Sequence, residues 1–297
     1  MKAFVILMTL ATMLCGTPGR LFTSRSQTQE RRPGTNGEVN KDNRSLRVVF
    51  EGNRFVSSQE LTETMTRCLE PAFKAQDKYT SELGEYCSNH EVLSFVRSKG
   101  YLQAVVSKPE RLETEHELKL VMNVEEGLLY RVGEIKIKEA KVFSPEQIIE
   151  MLGFRTGEIA NGHALGDALY IRLKKAYANK GYIQYDYEVE PEFKASSSGE
   201  ANEGIVDFTI TVSEGRQFLI RRIEFADNER TPDDVLRRKL LIREGRIFNQ
   251  ELYEKSLKKL NQLGLFEEIT EKDVTRRSDK ETPELDILIR VKEKAPF

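Results

Sequence analysis

Tryptophan is absent from the 297 residues, and there are only three histidines and three cysteines. His90, His116 and His163 fall in none of the close spacings of a common metal motif, so no metal site is expected. Net charge is lacking too. Lys plus Arg number 46 against 48 for Asp plus Glu, which excludes the usual basic groove for nucleic acid. Beyond the N-terminus no apolar run approaches the ~20 residues that a bilayer-spanning helix needs. The strand-like segments are too few, and too often separated by helices, for a transmembrane barrel of about eight or more strands. A Walker A loop, a G-x-G-x-x-G after a strand and a G-x-S-x-G are all missing, which removes phosphate cradles and nucleophile elbows. The chain therefore reads as a non-enzyme with no cofactor and no small-molecule substrate. What remains is 39% hydrophobic and 32% charged, a globular composition with room for about two domains by length.

Met1 and Lys2 precede a predominantly apolar run of 13 residues, 3–15, followed by Gly16-Thr17-Pro18-Gly19. This is a secretory signal in outline, residues 1–19, with Thr17 and Gly19 as the small residues at −3 and −1 of the cleavage point. Residues 20–45 are polar and read as a flexible tether. Export leaves Cys68 and Cys87 in an oxidising compartment that permits one bridge. Spacing alone leaves a disulfide and two unpaired thiols both open.

Self-similarity is the strongest signal. Residues 124–161 align with 212–249 without a gap, at a shift of 88. Nine identities result, among them Glu126/Glu214, Gly127/Gly215, Arg155/Arg243, Gly157/Gly245, Ile159/Ile247 and Asn161/Asn249, where unrelated sequence gives about two. A third copy lies upstream, with Phe50-Glu51-Gly52-Asn53 matching Phe225-Ala226-Asp227-Asn228. Gly100, Gly181 and Gly264 mark the same turn in each copy. The repeats run over residues 46–127, 128–215 and 216–297.

Within the second repeat, Ile135 and Ile137 alternate with charges as in a half-buried strand. Ser144-Pro145-Glu146-Gln147 opens a first helix with an N-cap, a proline at the first helical position and a capping-box glutamine. A second helix follows over about 163–179, with counterparts at 89–99 and 250–263, and two further alternating strands close the repeat. The fold class is α+β: three tandem β-α-α-β-β repeats, each a three-stranded mixed sheet covered by two helices. The strand order first, third, second leaves the second strand as an edge. Those second strands are expected at 101–108, 182–190 and 265–270. Tyr185 and Tyr187 share the phase of Ile183 and read as core; Glu125, Glu126 and Glu214 sit at strand-ending turns and read as solvated or helix-capping groups. Ser196 to Gly199 reads as a floppy hairpin loop.

This repeat, with its Phe-Glu-Gly-Asn at 50–53, its Arg-x-Gly-x-Ile-x-Asn at 155–161 and 243–249, and its strand ends Val-Glu-Glu-Gly and Val-Ser-Glu-Gly, resembles the polypeptide-transport-associated (POTRA) repeats of BamA-like outer-membrane protein assembly factors. The resemblance covers residues 46–297. It implies a periplasmic protein associated with the outer membrane, which receives unfolded outer-membrane polypeptides by strand addition and docks beside a β-barrel and accessory lipoproteins. The edge candidates on this reading are Leu102, Ala104, Val106, Ile183, Tyr185, Tyr187, Val189, Phe266 and Ile269. Such proteins usually continue into a barrel, and no barrel strands follow residue 291, so barrel insertion is not expected as an intrinsic activity. Alternative readings are the N-terminal periplasmic part of a barrel-containing factor, a division-type scaffold anchored by its N-terminal helix, and a periplasmic hydrolase.

Overall fold

Capping chemistry and apolar periodicity set the elements of the chain, whose computed structural model describes residues 45–74, 79–114, 116–195, 202–278 and 282–294. The expected leader, nearly all of the tether and the Ser196 to Gly199 loop lie outside the described residues. The first repeat contains β1 (Ser45–Glu51), α1 (Ser58–Lys74), α2, β2 (Val105–Val106), β3 (Glu110–Glu113) and β4 (Glu117–Glu125). Helix α2 runs through Ser81–Tyr86, a π-helical turn at Cys87–Val92, and Leu93–Ser98. It starts well before the expected residue 89 because the Thr80 hydroxyl accepts the Leu83 N–H at 3.1 Å and caps an earlier turn.

The second repeat holds β5 (Leu129–Lys138), α3 (Pro145–Leu152), α4, β6 (Asp186–Ala195) and β7 (Glu203–Ser213). Helix α4 again has a π-helical centre, Ala168–Leu173, between Gly162–Asp167 and Lys174–Ala178. The capping box that opens α3 is formed: the Gln147 N–H donates to Ser144 Oγ at 3.3 Å and the Ser144 N–H to Gln147 Oε1 at 2.9 Å. The third repeat holds β8 (Leu219–Ala226), α5 (Asp233–Arg237), α6 (Gln250–Asn261), β9 (Val274–Ser278) and β10 (Glu284–Arg290).

Strand order is the same each time, with the last strand central: β1-β4-β2, β5-β7-β6 and β8-β10-β9. In the first sheet β1 lies parallel to β4, and in the third β8 lies parallel to β10 while β9 is antiparallel. The sheets are mixed, as the sequence pattern requires. One detail differs in the first: its outer strand is broken into β2 and β3, both paired with β4, so the sheet counts four strands rather than three. Pro109 sits in the break and has no N–H to give the ladder. In the third, the pairing of β8 with β10 skips Arg221, a bulge that lets Ile220 and Ile223 both face the core.

Helices cover one face of each sheet. In the first repeat Leu61 and Met65 of α1 pack with Val92 and Val96 of α2 over Leu120 and Met122 of β4. In the third, Leu236, Tyr253 and Leu260 pack over Ile223, Ile287 and Ile289. Each such side chain is almost fully buried and contributes about 1.5–3 kcal/mol of transfer free energy. Cys68 of α1 and Cys87 of α2 are joined in a disulfide with Cα atoms 5.8 Å apart, which resolves the two readings that spacing left open. By contacts the chain divides into two compact units. One extends through Lys136 and includes Gly153–Asp167 and Glu188–Ile210; the other comprises Ile137–Leu152, Ala168–Tyr187 and the residues from Thr211. Among the described residues no helix is long and apolar enough to cross a membrane.

Candidate functional site

The second and third sheets treat their two outer strands differently, while in the first β1 pairs only with β4 among the described residues. In the second repeat the free side of β5 is closed by the segment before α4. The Val132 N–H donates to Glu158 O (2.8 Å), the Gly157 N–H to Val132 O (2.7 Å) and the Ala160 N–H to Tyr130 O (2.8 Å). The third repeat does the same to β8: Ile220 N–H to Arg246 O, Gly245 N–H to Ile220 O and Phe248 N–H to Phe218 O, at 2.8, 2.7 and 2.9 Å. This is the structural work of the Arg-x-Gly-x-Ile-x-Asn motif. Its glycine turns the chain, its asparagine caps the next helix (Ala164 N–H to Asn161 Oδ1, 2.8 Å; Leu252 N–H to Asn249 Oδ1, 2.9 Å), and its backbone pairs with the sheet. The opposite outer strands, β2 with β3, β6 and β9, pair only with their central strand among the described residues. They are the open edges.

Where those edges lie corrects the expectation drawn from sequence. Of the nine candidate residues, Val106 lies in β2 and Tyr187 and Val189 lie in β6. Leu102, Ala104, Ile183, Tyr185 and Ile269 precede the strands, in the turns that leave α2, α4 and α6, whereas Phe266, also ahead of β9, forms an antiparallel bridge with Glu293. Leu102, Ala104, Tyr185, Phe266 and Ile269 are buried. In Leu102, Ala104, Tyr185 and Ile269 the apolar alternation comes from a turn tucked into the core, not from an edge. Tyr185 stacks on Tyr177 with ring centroids 4.7 Å apart, and burial pushes its phenol far above the ordinary value. The residues missed are Glu110 to Glu113, Pro191 to Ala195 and all of β9. Strand β9 follows a short helical turn at Glu271–Asp273, where Thr270 and Asp273 form a capping box; its Val274-Thr275 start was the only β-type signal available.

The edges carry different chemistry. Along β6, Tyr187, Val189, Pro191 and Phe193 are half-buried and alternate with exposed Glu188, Glu190, Glu192 and Lys194. Phe193 packs against Tyr130 at 4.7 Å, and Lys194 pairs with Asp207, whose carboxyl it holds below the usual range. On β9 the exposed charged groups are Arg276 and Arg277, the first lying over the Tyr253 ring at 5.3 Å. Charges and a proline on an edge are the ordinary defence against sheets joining indiscriminately.

A carboxylate closes the loop after each first strand. Glu126, 5% exposed, accepts the backbone N–H groups of Arg54, Phe55 and Val56 at 2.7–3.1 Å. Glu214 accepts those of Lys141 and Val142 and the Tyr177 hydroxyl at 2.7–3.0 Å. Glu293 accepts those of Arg230 and Thr231, and the Thr231 hydroxyl and Arg230 guanidinium hold it below the usual carboxylate range. Glu126 and Glu214 are therefore loop clamps, neither solvated groups nor helix caps. Sequence reasoning missed Glu293, although the spacing Val-x-Glu recurs at 124–126, 212–214 and 291–293. A cleft of about 680 Å³ is lined by Glu139, Lys141, Lys180, Tyr182 and Glu214, and the Glu214 carboxylate is already committed to the clamp.

The POTRA family model, described as surface antigen variable number repeat, matches residues 130–215 and 218–294. Curated relatives include the outer membrane protein assembly factor BamA of Neorickettsia risticii, 25% identical over 226 residues that make up 75% of this chain and 29% of that protein. BamA of Nitratidesulfovibrio vulgaris is 24% identical over 221 residues, 73% of this chain and 26% of that protein. The chain thus spans less than a third of the length of these relatives. Among solved structures, BamA POTRA3-5 of Haemophilus influenzae shares the fold with a TM-score of 0.63 and 21% identity, covering 86% of this chain and 100% of that one. Matched in two successive repeats over more than half of its length, and folded as three such repeats, the chain belongs to the POTRA family.

Proposed function

We propose that this chain is a non-enzymatic periplasmic scaffold in outer-membrane β-barrel protein assembly or transport, and that it binds polypeptides by adding their strands to β2 with β3, β6 and β9. Its partners on this reading are unfolded outer-membrane polypeptides, an outer-membrane β-barrel and accessory lipoproteins. The names of its BamA relatives support the setting. One observation carries the mechanism: the chain covers the free side of β5 and β8 with its own backbone, and among the described residues the opposite edges, β6 and β9, pair only with their central strands. An added strand satisfies main-chain donors and acceptors at a net gain of about 0.5–1.5 kcal/mol per hydrogen bond, whatever its side chains, which suits a receiver of many clients.

Strand β6, ten residues long, is the longest of the three edges and the place to test this. Along an edge strand, successive N–H groups point alternately inward and outward, so Glu188→Pro and Val189→Pro each remove one kind. Binding of a ten-residue peptide of alternating apolar and polar residues is measured by fluorescence anisotropy. The variant that loses the outward N–H weakens binding at least tenfold with an unchanged circular dichroism spectrum. Unchanged binding in both variants rules out strand addition at β6.

A further inference from the structure

Three features of β6 fix which of its main-chain groups face outward. The N–H and C=O of a strand residue point to the same side, and the side alternates along the strand. Pro191 has no N–H, and a proline is tolerated within a sheet where the missing donor faces away from the neighbouring strand. The Tyr187 N–H takes a local acceptor, the Asp186 carboxylate at 2.9 Å. On the other parity, Lys194 O stands 3.1 Å from where a Cβ on Gly204 of β7 would lie. Tyr187, Val189 and Pro191 therefore present their main chain to the open side, and Glu188, Glu190 and Glu192 give theirs to β7. Asp186 occupies one outward donor and proline deletes another, which leaves the Val189 N–H for an incoming strand at the centre of this stretch.

The side chains of the same strand are sorted by sign. Glu188, Glu190 and Glu192 are exposed and lie on the face opposite the half-buried Tyr187, Val189 and Pro191. Lys194 at the end of the row is shared between Glu192, 3.3 Å away, and Asp207 of β7. Among the described residues neither Glu188 nor Glu190 forms an ion pair. The other open edges lack such a row: β3 mixes Glu110, Arg111 and Glu113, and β9 carries Arg276 and Arg277. A strand laid against β6 brings its side chains to about 4.5–5.5 Å from those directly opposite, alternate ones beside the glutamates and the rest beside Tyr187, Val189 and Pro191. Like charges placed opposite repel and unlike charges attract, so a row of one sign admits some strands and rejects others.

We propose that β6 selects its strand by charge: it takes an extended segment whose alternate side chains are apolar and cationic, hydrogen-bonded at Val189, with Lys or Arg beside Glu188 and Glu190. This rests on the strand-addition reading and adds to it the chemistry of the segment received. Charges that guard an edge against other sheets are here of one sign, so acidic segments are turned away and cationic ones admitted. On β9, with its two arginines, the same segment meets its own sign.

The test measures binding of three ten-residue peptides to the full chain by fluorescence anisotropy at low ionic strength, with valine alternating with lysine, glutamine or glutamate. The lysine peptide binds about tenfold more tightly than the glutamine peptide, and the glutamate peptide more weakly than either. In the double variant Glu188→Gln, Glu190→Gln the lysine advantage falls to about twofold or less. In Val189→Pro, with an unchanged circular dichroism spectrum, that advantage disappears together with the edge hydrogen bond. Equal affinity for the lysine and glutamine peptides, both weakened by Val189→Pro, overturns the selection and leaves strand addition standing. A lysine advantage that survives either variant overturns it too, because the attraction then lies elsewhere on the surface. Failure of all three peptides to bind overturns strand addition at β6 itself, and the selection with it.

Discussion

The first repeat and the two that follow it hold their helix pairs in different ways. In the second and third, the segment joining the helices turns back and forms three main-chain hydrogen bonds to the first strand, so the helices are tied to the sheet. In the first, β1 pairs only with β4 among the described residues; α1 runs for 17 residues, and a disulfide ties it to the π-helical turn of α2. One arrangement spreads the constraint over backbone groups, and the other places it in a single covalent bond between helices. The difference shows that the repeat tolerates exchange of its local fastenings provided that the helices stay seated on the central strand.

Removing that bond breaks the comparison most sharply. Cys68 and Cys87 close a loop of 19 residues, and releasing such a loop costs about 3 kcal/mol of stability. In the double variant Cys68→Ala, Cys87→Ala, hydrogen exchange in α1 and α2 accelerates by the corresponding factor of about one hundred. Exchange in α5 and α6 stays as it was. Equal acceleration in the third repeat would show that the repeats unfold together and that the fastening is not local.

Much of this architecture is legible in the residues, for reasons that differ by element. The capping box of α3 and the apolar periods of α3 and α6 are side-chain signals, and side chains are what a sequence displays. The order of strands follows from connectivity: two short links make neighbours, and two helices return the chain parallel to its start. The edge strands were misplaced because Leu102, Ala104, Tyr185 and Ile269 alternate as a strand would while lying in buried turns. Main-chain pairing is also silent. The role of Gly157 to Ala160 in closing β5 resides in N–H and C=O groups that every residue carries, so the motif was visible and its work was not. Glu126 illustrates the same limit: a carboxylate at the end of a strand looks solvent-facing until the loop folds over it.

That clamp gives the second test, because it is the fastening that all three repeats share. Glu126 takes three successive backbone N–H groups while nearly buried, and an amide in its place turns one acceptor into a donor facing donors. Hydrogen bonds to a charged group are worth about 1.5–3 kcal/mol each when lost, so Glu126→Gln lowers stability by about 2 kcal/mol. Urea unfolding followed by circular dichroism measures it, with an unchanged slope expected if the denatured state is unaffected. Glu293→Gln costs less, because Arg230 and the Thr231 hydroxyl can turn to solvent. Equal losses would mean that burial of Glu126 adds nothing and that the clamps are interchangeable.

The smallest effect concerns one backbone position that the repeats fill differently. Gly52, Glu139 and Asp227 occupy the same turn after the first strand, all with positive φ: +83°, +62° and +67°. In the first repeat a side chain is barred twice, since a Cβ on Gly52 would stand 2.5 Å from Asn123 Oδ1 and 2.8 Å from Val124 O. The second and third repeats accommodate a side chain there and retain the strain of a left-handed residue, about 1 kcal/mol. Glu139→Gly relieves that strain but gives the unfolded chain more freedom, which returns about half of the gain. The net is a stabilisation of about 0.5 kcal/mol, a rise of about 1 °C in the midpoint of thermal unfolding. A fall instead would mean that the Glu139 side chain contributes more than its backbone costs, and that the first repeat keeps its glycine from steric necessity while the second has found a use for the residue that replaced it.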